Sequence, residues 1–389
     1  MSRRQGGDDR VRYSAFARQD AVFHDRILEF AGNDLIRQTL AHQHTHFHIF
    51  RLMFHSRVTE EALNKGLHQA MEADDRVVLL GEDIAQTGGV FRVTAGLLDS
   101  FGEERVVDTP LAEAGIVGSA IGMAVYGLLP VVEIQFDVFV YPGFEQIVVH
   151  AARYAWRTKG ELPASIVIRI PFGGGVRAPE LHSDSPEALF CHVPGLRVVC
   201  PATPHDARDM LLAAIEHPDP VVFMEPKRIY RAGREEVPDE PPFTIGDSNG
   251  MAERLLSHAR IAREGDDLAI VTYGPTVPLS IQAADRLAEE RGVEARVVDL
   301  RSLYPLDVDA ITQAASECGR ALVVHEAPRT AGLGAEISSL IHERVMLDLE
   351  APVGRVTGYD APFPQFANED DYLPSVDRIC AGAFKVLDF

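Results

Sequence analysis

From Thr59 onward, short apolar segments alternate with amphipathic segments, and this alternation is the feature that most limits the folds open to the chain. RVVLLGED and ASIVIRIP are typical of buried strands, whereas TEEALNKGLHQAMEAD is typical of a helix capped by Thr59. Strands that alternate with helices form mostly parallel sheets covered on both faces. We therefore predict an α/β fold.

A segment rich in proline and charge divides this alternation into two runs. It contains RIYRAGREEVPDEPPFTIGDSNG, and we interpret residues 227–262 as an interdomain linker. The predicted domains are 58–226 and 263–389, each built around a parallel sheet. Two α/β units joined in this way favour a site in a crevice, or a site completed by another chain.

Residues 1–57 differ in pattern and are predicted to form a helical extension. DAVFHDRILEF and LIRQTLAHQHTHFHIFRLMFHS have helical periodicity, with a Gly32-Asn33 stop between them. Four alternating histidines could hold a metal ion, although a solvated polar face with incidental histidines is the commoner explanation. These histidines are His42, His44, His46 and His48.

Asp20 and His24 lie one helical turn apart in this extension, ahead of the stop. This opening resembles the all-helical ligand-binding domain of GntR-type transcription regulators, but the later helix that would supply further histidine ligands is missing. We interpret 1–57 as a truncated fusion remnant or a misassigned start. A ligand- or metal-sensing regulator that uses these helices is the alternative from a different functional class.

The acidic composition limits the partners that the chain can bind. Its net charge of −21 argues against a nucleic-acid or membrane-surface binder, because such proteins need clustered Lys and Arg.

No apolar run reaches the roughly 20 residues that span a bilayer, and MSRRQGGDDR lacks the apolar part of a signal peptide. The four cysteines show no CxxC spacing, which indicates reduced thiols. We expect a cytoplasmic location.

A carboxylate stands between a predicted strand and a helix of small residues in DTPLAEAGIVGSAIGMAVYG. Glu113 could project there at the carboxyl edge of the sheet, although glutamate in a first helical turn is also favoured by the helix dipole. Glycines such as Gly118 and Gly122 let another backbone or a flat ligand approach closely. Glu113 is therefore the first candidate for chemistry.

The loop of PFGGGVRAPELHSDSPEALF contains two further candidates. His182 could be catalytic, although a solvated loop histidine is the simpler interpretation. The run Gly173-Gly174-Gly175 could cradle an anion, but flexibility is the commoner reason for a triple glycine.

Motifs distributed over most of the chain point to one family. In order, the sequence contains GEDIAQTGGVFRVTAGL, VVDTPLAEAGIVGSAIG, VVEIQFDVFVYPGFEQI, IRIPFGGG, LHSDSPEALF, DPVVFMEPKRIYR, VVDLRSLYPLDVDAI, VVHEAP and GYDAPFP. Together, from about Thr59 to Phe389, they resemble the β subunit of the thiamine-dependent decarboxylating component of 2-oxo acid dehydrogenase complexes.

This resemblance implies a thiamine pyrimidine-binding domain followed by a domain like the transketolase C-terminus. It implies an α2β2 heterotetramer in which the α subunit holds the diphosphate and Mg²⁺ of thiamine diphosphate, and the β subunit holds the aminopyrimidine. The α-type motif, GDG followed by asparagine, is absent from this sequence, so the chain would supply half of an active site. A small 2-oxo acid would be decarboxylated, and its acyl group passed to a lipoyl-bearing acyltransferase.

The resemblance also assigns roles to individual residues. Glu113 matches the glutamate that hydrogen-bonds the aminopyrimidine N1′, so that the 4′-imino group can take the C2 proton. His182 matches the active-site histidine that contacts the substrate carboxylate and transfers a proton during reductive acylation. Leu111 and Gln135 match positions that line the cofactor and substrate pocket. Phe139 stands where some relatives have tyrosine, so the hydroxyl is lost.

Some relatives hold a structural K⁺ with backbone carbonyls, and the resemblance places these near Ala164, Ile166 and Val167. An acidic residue of that site is replaced here by His217, which weakens the prediction of potassium.

The substrate is less specified than the family. HEAP, EPKRIYR and GYDAPFP favour a branched-chain 2-oxo acid, with pyruvate as the alternative.

In the helix after Glu113, Ser119 takes the apolar position of the family pattern between Gly118 and Gly122, which we expect to be tolerated because serine is small.

Overall fold

The structure is a computed structural model, and it describes residues 58–230 and 235–389. The range Val58–Phe389 forms one compact unit. The predicted helical extension at 1–57, the four alternating histidines and the Asp20/His24 pair lie outside the described residues.

Helices and strands alternate through the first half of the described chain, as the apolar pattern predicts. In α1, for example, Leu63, Leu67 and Met71 are buried at helical spacing. The elements in chain order are α1 (Val58–Ala73), β1 (Val77–Gly81), α2 (Leu97–Phe101), β2 (Val106–Asp108), α3 (Glu113–Val125), β3 (Leu129–Glu133), α4 (Ala152–Arg157), β4 (Val167–Phe172), α5 (Glu187–Cys191), β5 (Arg197–Val199), α6 (Pro204–Glu216) and β6 (Val221–Pro226).

The second half repeats the alternation with a different set of elements. They are α7 (Met251–Leu255), β7 (Arg260–Arg263), β8 (Leu268–Thr272), α8 (Val277–Arg291), β9 (Ala295–Asp299), β10 (Ser302–Tyr304), α9 (Val308–Cys318), β11 (Ala321–Pro328), α10 (Leu333–Val345), β12 (Gly354–Gly358), α11 (Glu369–Tyr372) and α12 (Val376–Leu387). The range 227–262 contains α7 and most of β7, together with a 3₁₀ helix at Lys227–Tyr230. The domain boundaries stay a prediction.

The described strands form two sheets. The first has the order β10-β5-β6-β4-β3-β1-β2, and the second has the order β12-β11-β8-β9-β7. Pairing is parallel except at β10, which is antiparallel to β5, and at β7, which is antiparallel to β9. The prediction of an α/β fold with two parallel-dominated sheets is confirmed.

One apolar core extends across both sheets. A single cluster of buried side chains includes Phe172 at the end of β4, Tyr273 after β8, and Val323 in β11. The central strands β1, β4 and β8 are buried along their whole length, as expected for parallel strands covered on both faces. In the part of the chain that the structure describes, no helix is both long and apolar enough to cross a membrane.

Candidate active site

The carboxyl ends of three neighbouring strands lie level with one another in the first sheet. Gly81 at the end of β1 is in register with Asp108 of β2 on one side and with Glu133 of β3 on the other. The loops that follow these strands carry Glu82, Glu113 and Gln135. This edge is where ligands bind in open parallel sheets.

Glu113 is the first residue of α3, and its side chain is only 8% exposed. Its backbone packs closely on Gly143, where an added Cβ would meet the Glu113 carbonyl oxygen at 3.1 Å. Burial raises the pKa of Glu82, and the nearby charges of Asp83 and Glu113 raise it further. Glu113 is therefore a largely buried residue with a second acidic residue beside it.

The other two predicted pocket residues of this edge differ in exposure. Gln135 is half-buried, and its Nε2 donates to the backbone oxygen of Glu82 at 3.3 Å. Leu111 is 69% exposed in this chain. Leu111 lies two residues before Glu113, and Gln135 contacts the loop after β1, so both belong to the same edge of the sheet. The Leu111 side chain is open to solvent or to a partner.

His182 ends a 3₁₀ turn at Glu180–His182 and packs between two aromatic rings. Its ring lies edge-on to Phe136, with centroids 4.3 Å apart, and edge-on to Phe139, with centroids 5.1 Å apart. Phe139 belongs to a 3₁₀ helix at Asp137–Gly143, directly after the loop that carries Gln135. The structure therefore brings the rings of His182 and Phe139 into contact, and their assignment to one pocket stays a prediction.

A buried ion pair that was not predicted from the sequence lies next to His182. The Lys227 Nζ is 3.0 Å from Asp137 Oδ2 and also donates to the backbone oxygen of His182. Both charged side chains are fully buried. A lysine directly after a buried strand, in FMEPK, is the sequence signal that could have indicated it.

Burial sets the ionisation of this group. It lowers the pKa of His182 to about 4, and the positive charge of Lys227 acts in the same direction. It raises the pKa of Asp137 to about 6, against the opposing effect of Lys227. The imidazole is therefore neutral near pH 7 and can accept a proton.

The triple glycine does cradle anions, and these are carboxylates of the protein itself. The Gly174 amide donates to Glu326 Oε1 at the end of β11, and the Gly175 amide donates to Glu369 Oε1 at 2.6 Å in α11. Glycine is required sterically, because a Cβ at Gly174 would lie 2.8 Å from the Phe363 ring. Flexibility is not the reason for this run.

Glu187, in the first turn of α5, anchors the other end of the same loop. It is fully buried, and the Tyr273 hydroxyl donates to its Oε1 at 2.6 Å. Burial raises the pKa of Glu187 to about 7, although this hydrogen bond opposes the effect. The loop that carries His182 thus leads into a helix held by a residue of the second half.

A buried arginine joins three strands beneath the edge. Arg169 of β4 contacts Glu133 of β3 at 2.7 Å and Glu225 of β6 through two hydrogen bonds of 2.7 and 2.9 Å. Burial alone would lower the pKa of Arg169, but the two carboxylates raise it above its ordinary value. This network ties β3, β4 and β6 together below the loops.

The positions matched to a potassium site are engaged in the protein fold. The Ile166 backbone oxygen accepts from the Val221 amide at 2.9 Å, and Val167 begins β4. The imidazole of His217 accepts from the Asp219 amide at 3.0 Å and contacts Glu253 at 3.1 Å. Over residues 58–230 and 235–389, no group of three or more His, Cys, Asp and Glu side chains is arranged to hold a metal ion.

Comparison with known proteins agrees with this architecture. Residues 55–233 match the family "Transketolase, pyrimidine binding domain", and residues 257–379 match "Transketolase, C-terminal domain". A solved structure of a split-gene transketolase, described as an inactive β4 tetramer, superposes with a TM-score of 0.68 at 23% identity. It covers 86% of this chain and 99% of that chain, which shows the shared fold.

Two curated relatives are much closer in sequence. The pyruvate dehydrogenase E1 component subunit beta of Acholeplasma laidlawii is 45% identical over 321 residues, which cover 82% of this chain and 95% of that protein. The 3-methyl-2-oxobutanoate dehydrogenase subunit beta of Mycobacterium tuberculosis is 46% identical over 327 residues, covering 84% and 91%.

The two sheets and the two matched domains define a transketolase-like protein of the thiamine diphosphate-dependent class. Within that class, the chain belongs to the family of 2-oxo acid dehydrogenase E1 component β subunits.

Proposed function

We propose that this chain is the β subunit of a cytoplasmic branched-chain 2-oxo acid dehydrogenase. It acts in an α2β2 heterotetramer on a small 2-oxo acid and passes the acyl group to a lipoyl-bearing acyltransferase. The relatives are named for both branched-chain and pyruvate substrates, so the preference rests on HEAP, EPKRIYR and GYDAPFP. Pyruvate is the alternative substrate.

The observation that carries the proposal is the burial of Glu113 at the sheet edge. A carboxylate with little access to water forms a strong hydrogen bond with a ring nitrogen, because the local dielectric is low. The aminopyrimidine of thiamine diphosphate offers such a nitrogen at N1′, and the loops of Gln135 and Phe139 lie at the same edge. The residues present therefore fit the pyrimidine half of the cofactor.

When bound, the cofactor supplies the carbon nucleophile and the electron sink for decarboxylation. Glu113 holds the aminopyrimidine and fixes its protonation at N1′. His182, neutral near pH 7, contacts the substrate carboxylate and moves a proton during transfer to the lipoyl group. Phe136 and Phe139 keep water from the imidazole by covering it on two sides.

The α subunit would supply the diphosphate and Mg²⁺ contacts. The helix α3 supports a partner contact, because Gly115, Ser119 and Gly122 are exposed along one face. An added Cβ at Gly122 would meet no atom of this chain within 4 Å. Small residues on such a face allow close approach of another subunit. A potassium ion near Ala164, Ile166 and Val167 stays a prediction, against which stands the replacement of an acidic ligand by His217.

The deciding experiment uses the chain co-purified with its α partner, supplied with thiamine diphosphate and Mg²⁺. Decarboxylation of 3-methyl-2-oxobutanoate and of pyruvate is then compared. We expect the higher kcat/KM with 3-methyl-2-oxobutanoate. A higher value with pyruvate would assign the chain to the pyruvate-specific group instead.

The role of Glu113 is tested separately by deuterium exchange at C2 of the bound cofactor. We expect Glu113→Gln to slow this exchange by at least about 100-fold, because the amide cannot fix the N1′ proton. Glu161→Gln changes an exposed carboxylate of the same half and is the matched control. Near-normal exchange in Glu113→Gln would refute the assignment.

The regulator alternative is tested by deleting residues 1–56. Assembly and decarboxylase activity that survive the deletion would show that the extension is dispensable for the enzyme. If neither the full chain nor the shortened chain has enzyme activity, and the deletion abolishes a metal- or ligand-dependent response, the regulator is favoured.

A further inference from the structure

The loop that carries His182 is held by side chains from a distant part of the chain. We define the histidine loop as residues 173–184, between the end of β4 and the start of α5. The Gly173 amide donates to the Asp184 oxygen at 2.9 Å, so the two ends of the loop are joined beside His182. A displacement of the glycines is therefore transmitted to the histidine.

Two carboxylates of the second half hold the glycine end of this loop. Glu326 Oε1 accepts from the Gly174 amide, and Glu369 Oε1 accepts from the amides of Gly175 at 2.6 Å and Arg177 at 3.2 Å. Both carboxylates are almost completely buried. These hydrogen bonds fix the positions of the amides that donate them.

Both carboxyl groups lie in an arrangement that does not favour stability. The second oxygen, Oε2, of both Glu326 and Glu369 is buried without a hydrogen bond to any described residue. Burial raises the pKa of each carboxyl group, which shows that the ionised form is disfavoured at both positions. Groups that destabilise the fold in this way are expected where the contact serves function.

We infer that Glu326 and Glu369 are positioning residues, which place His182 for proton transfer by fixing the glycine end of the histidine loop. The inference rests on the proposed function of the chain. It assigns to the transketolase C-terminal-like half an indirect part in the active site of the other half. The carboxylates act through the backbone amides of the loop.

The test uses the assembled α2β2 enzyme and separates acyl transfer from cofactor activation. We expect Glu326→Ala to slow acyl transfer to a lipoyl domain on the order of 100-fold, because small misplacements of a reacting group have effects of that size. C2 exchange of the bound cofactor should stay within about 2-fold of wild type, since Glu113 is not displaced. Glu326→Gln keeps an oxygen that accepts from Gly174 and should restore most of the rate.

A double-mutant cycle with His182→Ala distinguishes positioning from general damage. If Glu326 acts through His182, adding Glu326→Ala to His182→Ala should lower the rate no further. If the double variant loses the product of the two separate rate reductions, the inference is overturned. A wild-type rate of acyl transfer in Glu326→Ala would also overturn it. Glu289→Ala removes an exposed carboxylate of the same half and is the control.

Glu369→Ala provides the same test if Glu326→Ala does not fold. Failure of both variants to fold would also overturn the inference, because the carboxylates would then be required for folding and not for positioning. If the wild-type assembly itself shows neither C2 exchange nor decarboxylation, the proposed function fails. If the wild type is active and the alanine variants match it, only the positioning role fails.

Discussion

The side-chain nitrogen of Lys227 donates a hydrogen bond to the backbone oxygen of His182 while it pairs with Asp137 at 3.0 Å. Lys227 directly follows β6, and Asp137 begins the 3₁₀ helix that carries Phe139. One buried ion pair therefore joins the histidine loop to two other segments of the pyrimidine-binding half. Because the pair is fully buried, it also affects both stability and the ionisation of the imidazole.

Removal of the cation alone should destabilise the protein strongly. Lys227→Met leaves Asp137 buried without its partner, and breaking a buried pair in this way costs about 3–5 kcal/mol. The double variant Lys227→Met with Asp137→Asn removes both charges and should recover most of that loss. Urea denaturation of the three proteins checks this, and equal stability of the single and double variants would contradict it.

The rate of acyl transfer should depend on pH through a low pKa of His182. Its pKa of about 4 reflects burial first and Lys227 second, so the ring stays neutral until the pH falls towards that value. In the double variant, which lacks Lys227, the pKa of His182 should rise. The acidic limb of the pH–rate profile should therefore move to higher pH. Burial remains, so the limb should stay below the usual value of about 6.5.

Rates measured between pH 4 and 8 test this expectation. The limb that belongs to His182 is identified by its disappearance in His182→Ala. An unchanged limb in the double variant would show that Lys227 does not act on the imidazole.

Glu187 should make the protein less stable as the pH rises. Its folded-state pKa of about 7 lies above the ordinary value of 4.5, so the folded state holds the proton more tightly. The contribution of Glu187 to stability is therefore fully present below pH 4.5 and is lost as the pH rises from there through 7, by about 3 kcal/mol in total.

Glu187→Gln removes this titration and keeps an oxygen that can accept from the Tyr273 hydroxyl. The stability of the variant relative to wild type should therefore improve between pH 5 and pH 8. Denaturation curves at the two pH values measure the change, and a constant difference would disprove it.

A bulky side chain on the exposed face of α3 should block assembly and leave the chain folded. Gly122→Leu introduces a residue with a better helix propensity into open space. The isolated chain should therefore be as stable as the wild type, or more stable by about 1 kcal/mol. Co-purification with the α subunit should be lost. Gly122→Ala is the control, and normal assembly of Gly122→Leu would exclude this face from the interface.

The apolar periodicity of the sequence was sufficient to predict the class of fold, and its motifs were sufficient to predict the family. The strand β1 is a continuous apolar run, β4 is apolar except for Arg169, and the motifs from GEDIAQ to GYDAPFP identify the family. VVDLRSLYPLD contains the end of β9 and all of β10, and these two strands belong to different sheets. Local periodicity could not show this, because strand pairing depends on distant residues.

Some residues of the candidate site were predicted from the family resemblance, and others were found only in the structure. The resemblance identified Glu113, His182, Gln135 and Phe139, and the structure places the first at the sheet edge and the second against Phe139. The charged side chains that hold the histidine loop were not predicted. Lys227, Glu326 and Glu369 lie 45, 144 and 187 positions beyond His182 in the sequence.

The sequence by itself determined the alternation of strands and helices, since each element depends on the local period of apolar residues. It also determined which residues match the family motifs. Only the tertiary structure decided that a triple glycine receives two carboxylates from the other half, and that a lysine after β6 lies beneath the histidine. Those contacts arise from the packing of separate segments around one core, and short-range patterns carry no information about such packing.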